Sequence, residues 1–377
     1  MKKSLIALAV IGAFTAQAAM ADGTTIYGAA NVSFDAVNDG AAAGSHSTNN
    51  VSSNVSKLGF KGSEDLGDGL SAIWQIEEQV NFASSGGPSA ASNTGGGVTN
   101  GVSNFVARDT FAGLSSGTYG TAILGIHDTP YKMATRGADV FADTIADNRS
   151  IMGTTIGDLR LNNVVAYIAP AFSGLTLAAA TVTQAQIDAA GTKGSAYSLA
   201  ALYGTGPFNA DFGYQKITVG TPGTGTLGGL LGAAANDTTT AWKVGGGYTA
   251  DQFLVNLVYE KESSSVAGAA NGGNILDRAS WYLSGKFNIT ANDGIKAAYT
   301  SAGNVGAVAN TGAKQFSLGY DHNLSKHTTV YALYSKLTND SAQGYTFSQA
   351  SDVGQATLNS GINSDPSVFS IGMKHAF

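Results

Sequence analysis

Gly113-Leu114-Ser115-Ser116-Gly117 has the spacing of a nucleophile elbow, the turn on which a serine attacks an acyl carbon. That chemistry needs a strand-to-helix turn, and the flanking residues here read as strand on both sides. Gly223-Thr224-Gly225-Thr226-Leu227-Gly228 has the spacing of a phosphate-cradling glycine loop, but no strand–helix unit surrounds it. The five histidines (His46, His127, His322, His327 and His375) are scattered, and His322 and His327 flank a turn more readily than they share a metal. His46 with Asp35 or Asp39 is the one remaining pairing suited to catalysis. No cofactor and no metal are therefore expected. The densest charge lies elsewhere: between Asp128 and Asp158, Lys132, Arg136 and Arg149 are mixed with Asp139, Asp143 and Asp147. Such a group can sort ions without breaking bonds.

The elements that must carry these charges are strands. Apolar and polar residues alternate with period two over most of the chain, between stretches of Gly, Ser, Asn and Asp. Tyr197, Leu199 and Tyr203 oppose Ser198 and Ala200; Phe316, Leu318 and Tyr320 oppose Gln315, Ser317 and Asp321. Seven short connections, such as Ser115–Gly120 and Gly204–Phe208, alternate with eight long ones, among them Val37–Val55 and Asp128–Asp158. Seven turns and eight loops require sixteen strands. Even strand number with alternating short and long connections is the pattern of a transmembrane barrel. The expected fold is all-β, a 16-stranded antiparallel transmembrane β-barrel in one domain.

Composition points the same way. Charged residues make up 12% of the chain, about half of the ~25% usual in soluble domains. Lys2 and Lys3, the apolar run Leu5 to Ala16, and Ala19-Met20-Ala21 have the parts of a secretory signal peptide. Cleavage is expected after Ala21, leaving residues 22–377 as the barrel. Without Lys2 and Lys3, 18 of the 20 basic residues remain against 26 acidic ones, a formal charge of −8. Acidity without basic clusters argues against nucleic acid as a partner. Cysteine is absent, so disulfides do not stabilise the fold. No later run is long enough for a transmembrane helix, and only a closed barrel satisfies every backbone group in hydrocarbon.

Ser56-Lys57-Leu58-Gly59-Phe60-Lys61-Gly62-Ser63-Glu64-Asp65-Leu66-Gly67-Asp68-Gly69-Leu70 resembles the second strand and first turn of betaproteobacterial trimeric general diffusion porins. Leu124 to Pro130 resembles the strand entering that family's third loop, and Arg160-Leu161-Asn162-Asn163-Val164 its sixth strand. Ile371 to Phe377 is similar to its last strand, whose terminal Phe is an assembly signal. The family usually has Arg where Lys57 stands, and Leu-Gly-Arg where this chain has Leu124-Gly125-Ile126. The resemblance implies a homotrimer in the outer membrane, with a third loop folded into the lumen. It also implies passive diffusion of small hydrophilic solutes and ions.

Asp128–Asp158 suits that loop because its apolar members, Met133, Val140, Phe141, Ile145 and Ile151, need a wall to pack against. By parity, Lys57, Lys61 and Arg108 are the candidate wall cations facing it, and Arg160 follows it directly; the alternative for each is a snorkelling position at the membrane interface. The expected constriction is therefore Lys57, Lys61, Arg108, Lys132, Arg136, Asp139, Asp143, Asp147, Arg149 and Arg160. Acidic loop residues facing basic wall residues would set a transverse field. Phe377 is the expected assembly signal, read by the barrel-assembly machinery. Asp35, Asp39, Asp340 and Asp352 are candidates for bridging divalent cations to lipopolysaccharide. The alternatives are a substrate-specific outer-membrane channel, a barrel enzyme and an adhesin.

Overall fold

The computed structural model describes residues 23–41, 44–83, 105–153, 157–182, 194–218, 238–265, 277–347 and 361–377. The expected signal peptide, the Gly223–Gly228 pattern and Asp352 lie outside these residues. Eighteen hydrogen-bonded segments form one antiparallel sheet. They begin with β1 (Thr25–Asn38), β2 (Ser47–Ser53), β3 (Lys57–Gly67), β4 (Leu70–Val80), β5 (Phe105–Ala107) and β6 (Thr110–Ser116). Next come β7 (Gly120–Asp128), β8 (Arg160–Ile168), β9 (Leu175–Val182), β10 (Ser195–Thr205), β11 (Phe208–Thr218) and β12 (Thr238–Thr249). The last are β13 (Phe253–Ser264), β14 (Arg278–Asn288), β15 (Asp293–Ala302), β16 (Ala313–Asn323), β17 (Thr328–Asn339) and β18 (Ser367–Ala376).

Two strands are each interrupted once, so the eighteen segments make the expected sixteen strands. Both β2 and β3 pair with β1, and both β5 and β6 pair with β4. The first break centres on Val55, at φ +54°. Ser56 Oγ spans it, accepting from the Asn31 amide at 2.9 Å and donating to the Asn31 carbonyl at 3.0 Å. A side chain thus replaces a missing ladder bond. The loop expected at Val37–Val55 is shorter than its composition suggests. Ser47–Ser53 lacks apolar periodicity but pairs with β1 from Val32 to Asn38, leaving Asp39–His46 as the connection.

Closure comes from the chain ends. β1 pairs with β18 from Ala29↔Ala376 to Asn38↔Ser367. Gly28 and Phe377 exchange two further backbone hydrogen bonds, at 3.0 and 3.1 Å. The Phe377 ring covers Gly28 so closely that a Cβ there would lie 2.5 Å from it. Glycine is required at that position.

The burial pattern is inverted relative to a water-soluble protein. Leu199, Phe212, Leu257, Leu283 and Leu318 are exposed, whereas Ser198, Gln215, Asn256, Ser284 and Ser317 on the opposite parity are buried. Large apolar side chains on one whole face of a sheet mean that this face meets something other than water. Aromatic residues collect near both ends of that face. Trp242 lies 5.4 Å from Tyr259 and Trp281 5.2 Å from Tyr299 towards the long loops; Phe208 lies 5.1 Å from Tyr248 towards the short turns. An apolar band flanked by two aromatic girdles is the pattern of a barrel's lipid-facing wall.

Residues 129–153 pack against the buried face of the sheet. They contain a short helix, α1 (Pro130–Arg136), begun by the Thr129 cap and by proline at its first position. Tyr131 packs with Ile123, Leu161, Val164 and Ile217. Phe141, Ile145 and Ile151 join Val258, Tyr282, Leu333 and Leu337, and Val140 packs against that group. Met133, expected to share this contact, lies outside both clusters.

Leu257 pairs with Leu283 midway between the girdles. Leu283→Arg should destabilise the bilayer-folded protein by roughly 2–4 kcal/mol, the cost of a cation at the hydrocarbon midplane. Denaturant titration in lipid vesicles would measure it, and a loss below about 1 kcal/mol would remove this face from the hydrocarbon.

Candidate functional site

The alternation of β3 and β4 aims Lys57, Glu77 and Gln79 at the interior. Glu77, 4% exposed, receives three donors. Lys57 Nζ lies 3.1 Å from Oε2, Arg108 Nε 2.7 Å from Oε1, and Tyr27 donates its hydroxyl to Oε2 at 3.0 Å. A carboxylate so surrounded stays charged and halves the field of its two cations. Lys61 shares the parity of Lys57 but is exposed near the short turn, with its ammonium 5.2 Å from the Tyr27 ring.

Beside this group runs a second chain of charges. Arg160 bridges Asp109 and Asp128, each at 2.8 Å, and Lys132 of α1 reaches the same Asp128 oxygen at 3.0 Å. Lys57, Arg108, Lys132 and Arg160 therefore stand with Glu77, Asp109 and Asp128, while Lys61 stands apart. Four cations against three carboxylates leave this side of the lumen slightly positive.

The loop's own charges form a separate knot. Arg136 contacts Asp139 at 3.4 Å, Asp143 at 3.1 Å and Asp147; Arg149 contacts Asp147 at 2.9 Å. The expected loop carboxylates thus meet the loop's own arginines, and the opposition between acidic loop and basic wall is internally neutralised. Burial works against the charge on Asp143, but the Arg136 guanidinium overrides it and holds the carboxyl down to about 2. With two cations and three carboxylates, the knot carries the opposite residual sign to the wall.

Anchors hold the knot against the far wall. Tyr131 donates to Glu260 at 2.7 Å, the Gly153 amide to Glu260 at 2.9 Å, and Lys243 to Asp158 at 2.6 Å. Asn256 and Ser284 both donate to the Ala138 carbonyl, Gln315 to that of Ala146, and Asn31 to that of Asp143. The segment therefore follows the polar face from β10 round to β1, leaving β3, β4 and β6 on the side facing it. Sequence reasoning missed Glu77, Asp109, Asp128, Lys243 and Glu260 as site residues. For Glu77, Lys243 and Glu260 the signal was present, a charge on the polar parity of a strand; Asp109 lies between β5 and β6 and Asp128 beyond the β7 bulge, where parity gives no guide.

The rival chemistries find no frame. Ser115 bonds Thr121 at 2.8 Å inside a hairpin rather than a histidine. His46 lies 3.3 Å from Asp39, and among the described residues no serine completes the pair. Asp35 is a buried interior residue bonded to Ser52, so it belongs to no loop. Among the described residues no group of three His, Asp or Glu could hold a metal.

The model of a family described as Gram-negative porin matches residues 7–342. Outer membrane porin protein 32 of Delftia acidovorans is 28% identical over the full length of both chains. Major outer membrane protein P.IB of Neisseria lactamica is 26% identical over 94% of this chain and 98% of its own. Among solved structures, the anion-selective porin from Comamonas acidovorans superposes with a TM-score of 0.74 at 22% identity, covering 94% of this chain and 99% of that one. OmpT, an outer membrane protein of Vibrio cholerae, gives 0.68 at 17% identity, covering 94% and 97%.

Glu77→Gln should free Lys57 and Arg108 from their counter-charge and move the zero-current potential in a salt gradient towards anions. Lys57→Glu should move it the other way. Identical potentials in both variants and the wild type would take this cluster off the ion path.

Proposed function

The chain belongs to the family of Gram-negative porins, and on that premise we propose that it is a general diffusion porin. In this reading residues 1–21 are removed on export, and residues 22–377 form a water-filled channel across the outer membrane. Small hydrophilic solutes and ions pass down their gradients, and no bond is made or broken. The observation that carries the reading is the inverted wall, apolar outside and polar inside, around a lumen narrowed by residues 129–153.

The constriction lies between the Arg136–Asp143–Asp147–Arg149 knot and the wall bearing Lys57, Arg108 and Arg160. Fixed charges of both signs across a narrow aqueous gap order the water and give a passing ion partial compensation for lost hydration. Glu77, Asp109 and Asp128 balance Lys57, Arg108 and Arg160, and Lys132 of α1 adds the one remaining cation, so anions are favoured modestly. Ile126 adds no charge to this side. Three such barrels assemble as a homotrimer, in contact with lipopolysaccharide. Phe377, seated on Gly28 at the closing seam, is the group read by the assembly machinery.

Reconstitution into a planar bilayer tests the central claim. Stepwise ohmic current in groups of three is the expected result; silence would overturn it, and single steps alone would remove the trimer. Deleting Phe377 should lower the yield of heat-modifiable barrel in the outer membrane severalfold, and an unchanged yield would leave the residue a bystander.

A further inference from the structure

The lysines of this barrel divide by the face they occupy, and four of them have no use in the lumen. Lys216 of β11, Lys261 of β13, Lys314 of β16 and Lys336 of β17 alternate with buried neighbours: Gln215 and Ile217, Glu260 and Glu262, Ala313 and Gln315, Ser335 and Leu337. All four therefore point outward. Each stands two residues beyond an outward aromatic, namely Tyr214, Tyr259, Phe316 and Tyr334, and always on the long-loop side. The cross-strand register sets those aromatics in one band: Tyr214↔Trp242, Tyr259↔Trp281, and Phe316↔Tyr299. Two residues of tilted strand put these lysines about 5 Å above the aromatic girdle, where their ammonium groups reach the lipid headgroups.

Three features distinguish this set from scattered surface lysines. No Asp or Glu faces outward from these four strands, and none of the four lysines forms an ion pair among the described residues. At the short-turn ends of the same strands no Lys or Arg of the strands themselves faces outward, and their connecting turns carry one exposed cation, Lys326. A row of four unneutralised cations at one headgroup level, against the single Lys326 at the opposite ends of these strands, complements a leaflet rich in phosphate.

We propose that Lys216, Lys261, Lys314 and Lys336 form a belt that binds the phosphate groups of the glycolipid leaflet on the long-loop side. The proposal rests on the outer-membrane reading above and goes beyond it by assigning the lipid contact to named residues. It also places that contact on outward lysines instead of the loop carboxylates Asp35 and Asp39, whose bonds are made within the protein.

The test uses the full mature barrel in nanodiscs containing phosphatidylethanolamine and bisphosphorylated lipid A. Lipid A retained per barrel after mild detergent extraction is counted by native mass spectrometry. Replacing all four lysines by Gln should lower retention at least about tenfold. Replacing them by Arg should preserve it, and dephosphorylated lipid A should bind neither form. Heat-modifiable gel migration reports that each variant is folded; if the Gln variant is not, charge-removing pairs, Lys216→Gln with Lys261→Gln and Lys314→Gln with Lys336→Gln, are compared with their Arg counterparts. Equal retention in Gln and Arg forms would overturn the proposal. Single-channel conductance of the same variants should match the wild type, so a silent channel would count against the pore and unequal lipid retention would still support the belt.

Discussion

No backbone amide can be left unpaired in hydrocarbon, and that single requirement governs this molecule. A sheet with edges cannot meet it; a sheet whose last strand returns to its first can. The chain does so by pairing Ala29–Asn38 with Ser367–Ala376, segments at opposite ends of the sequence. Every other strand pairs with its neighbour in the chain, so this seam carries the largest single loop-closure entropy. That explains why the terminal residue is not frayed: Phe377 bonds Gly28 through the backbone and lies over it.

Closure also decides what the interior must be. With the apolar parity outside, the inner parity is Ser, Thr, Asn, Gln and paired charges, too polar to collapse on itself. A segment with little regular structure could enter only if its own carbonyls and amides found partners there. Asn256, Ser284, Gln315 and Asn31 supply donors for that backbone, and Glu260 accepts from it. Phe141, Ile145 and Ile151 add contact with the few apolar interior residues. The Arg136 and Arg149 ion pairs then lie within a single short segment, so the knot keeps its shape without drawing on the wall charges that line the remaining space.

Most of the barrel was legible in the sequence because parity is a local property. Tyr197, Ser198, Leu199 and Ala200 announce their faces whatever strand lies beside them. What was not legible depended on partners far along the chain. Ser47–Ser53 has no apolar alternation and is a strand only because β1 extends beside it. Thr129-Pro130 carried a helix start that was overlooked, since a seven-residue helix has no amphipathic period to detect. The charged residues of the loop were identified by type, but their pairing was not. Composition says that Asp139, Asp143 and Asp147 are acidic; only the fold says that their cations are Arg136 and Arg149.

The lysines make the argument about partners most directly. Inward, Lys57 meets Glu77, Lys243 meets Asp158, and Lys286 and Lys296 share Asp321. An inward cation sits in a confined space where the desolvation cost of an unpaired charge is large, so a carboxylate accompanies it. Outward, Lys216, Lys261, Lys314 and Lys336 have no such companion, although their strands carry acids such as Glu260 and Asp321 on the other face. The difference is one of residue parity, and it assigns the counter-charge. For the inner set it is part of the chain; for the outer set it must come from the membrane in which the barrel stands.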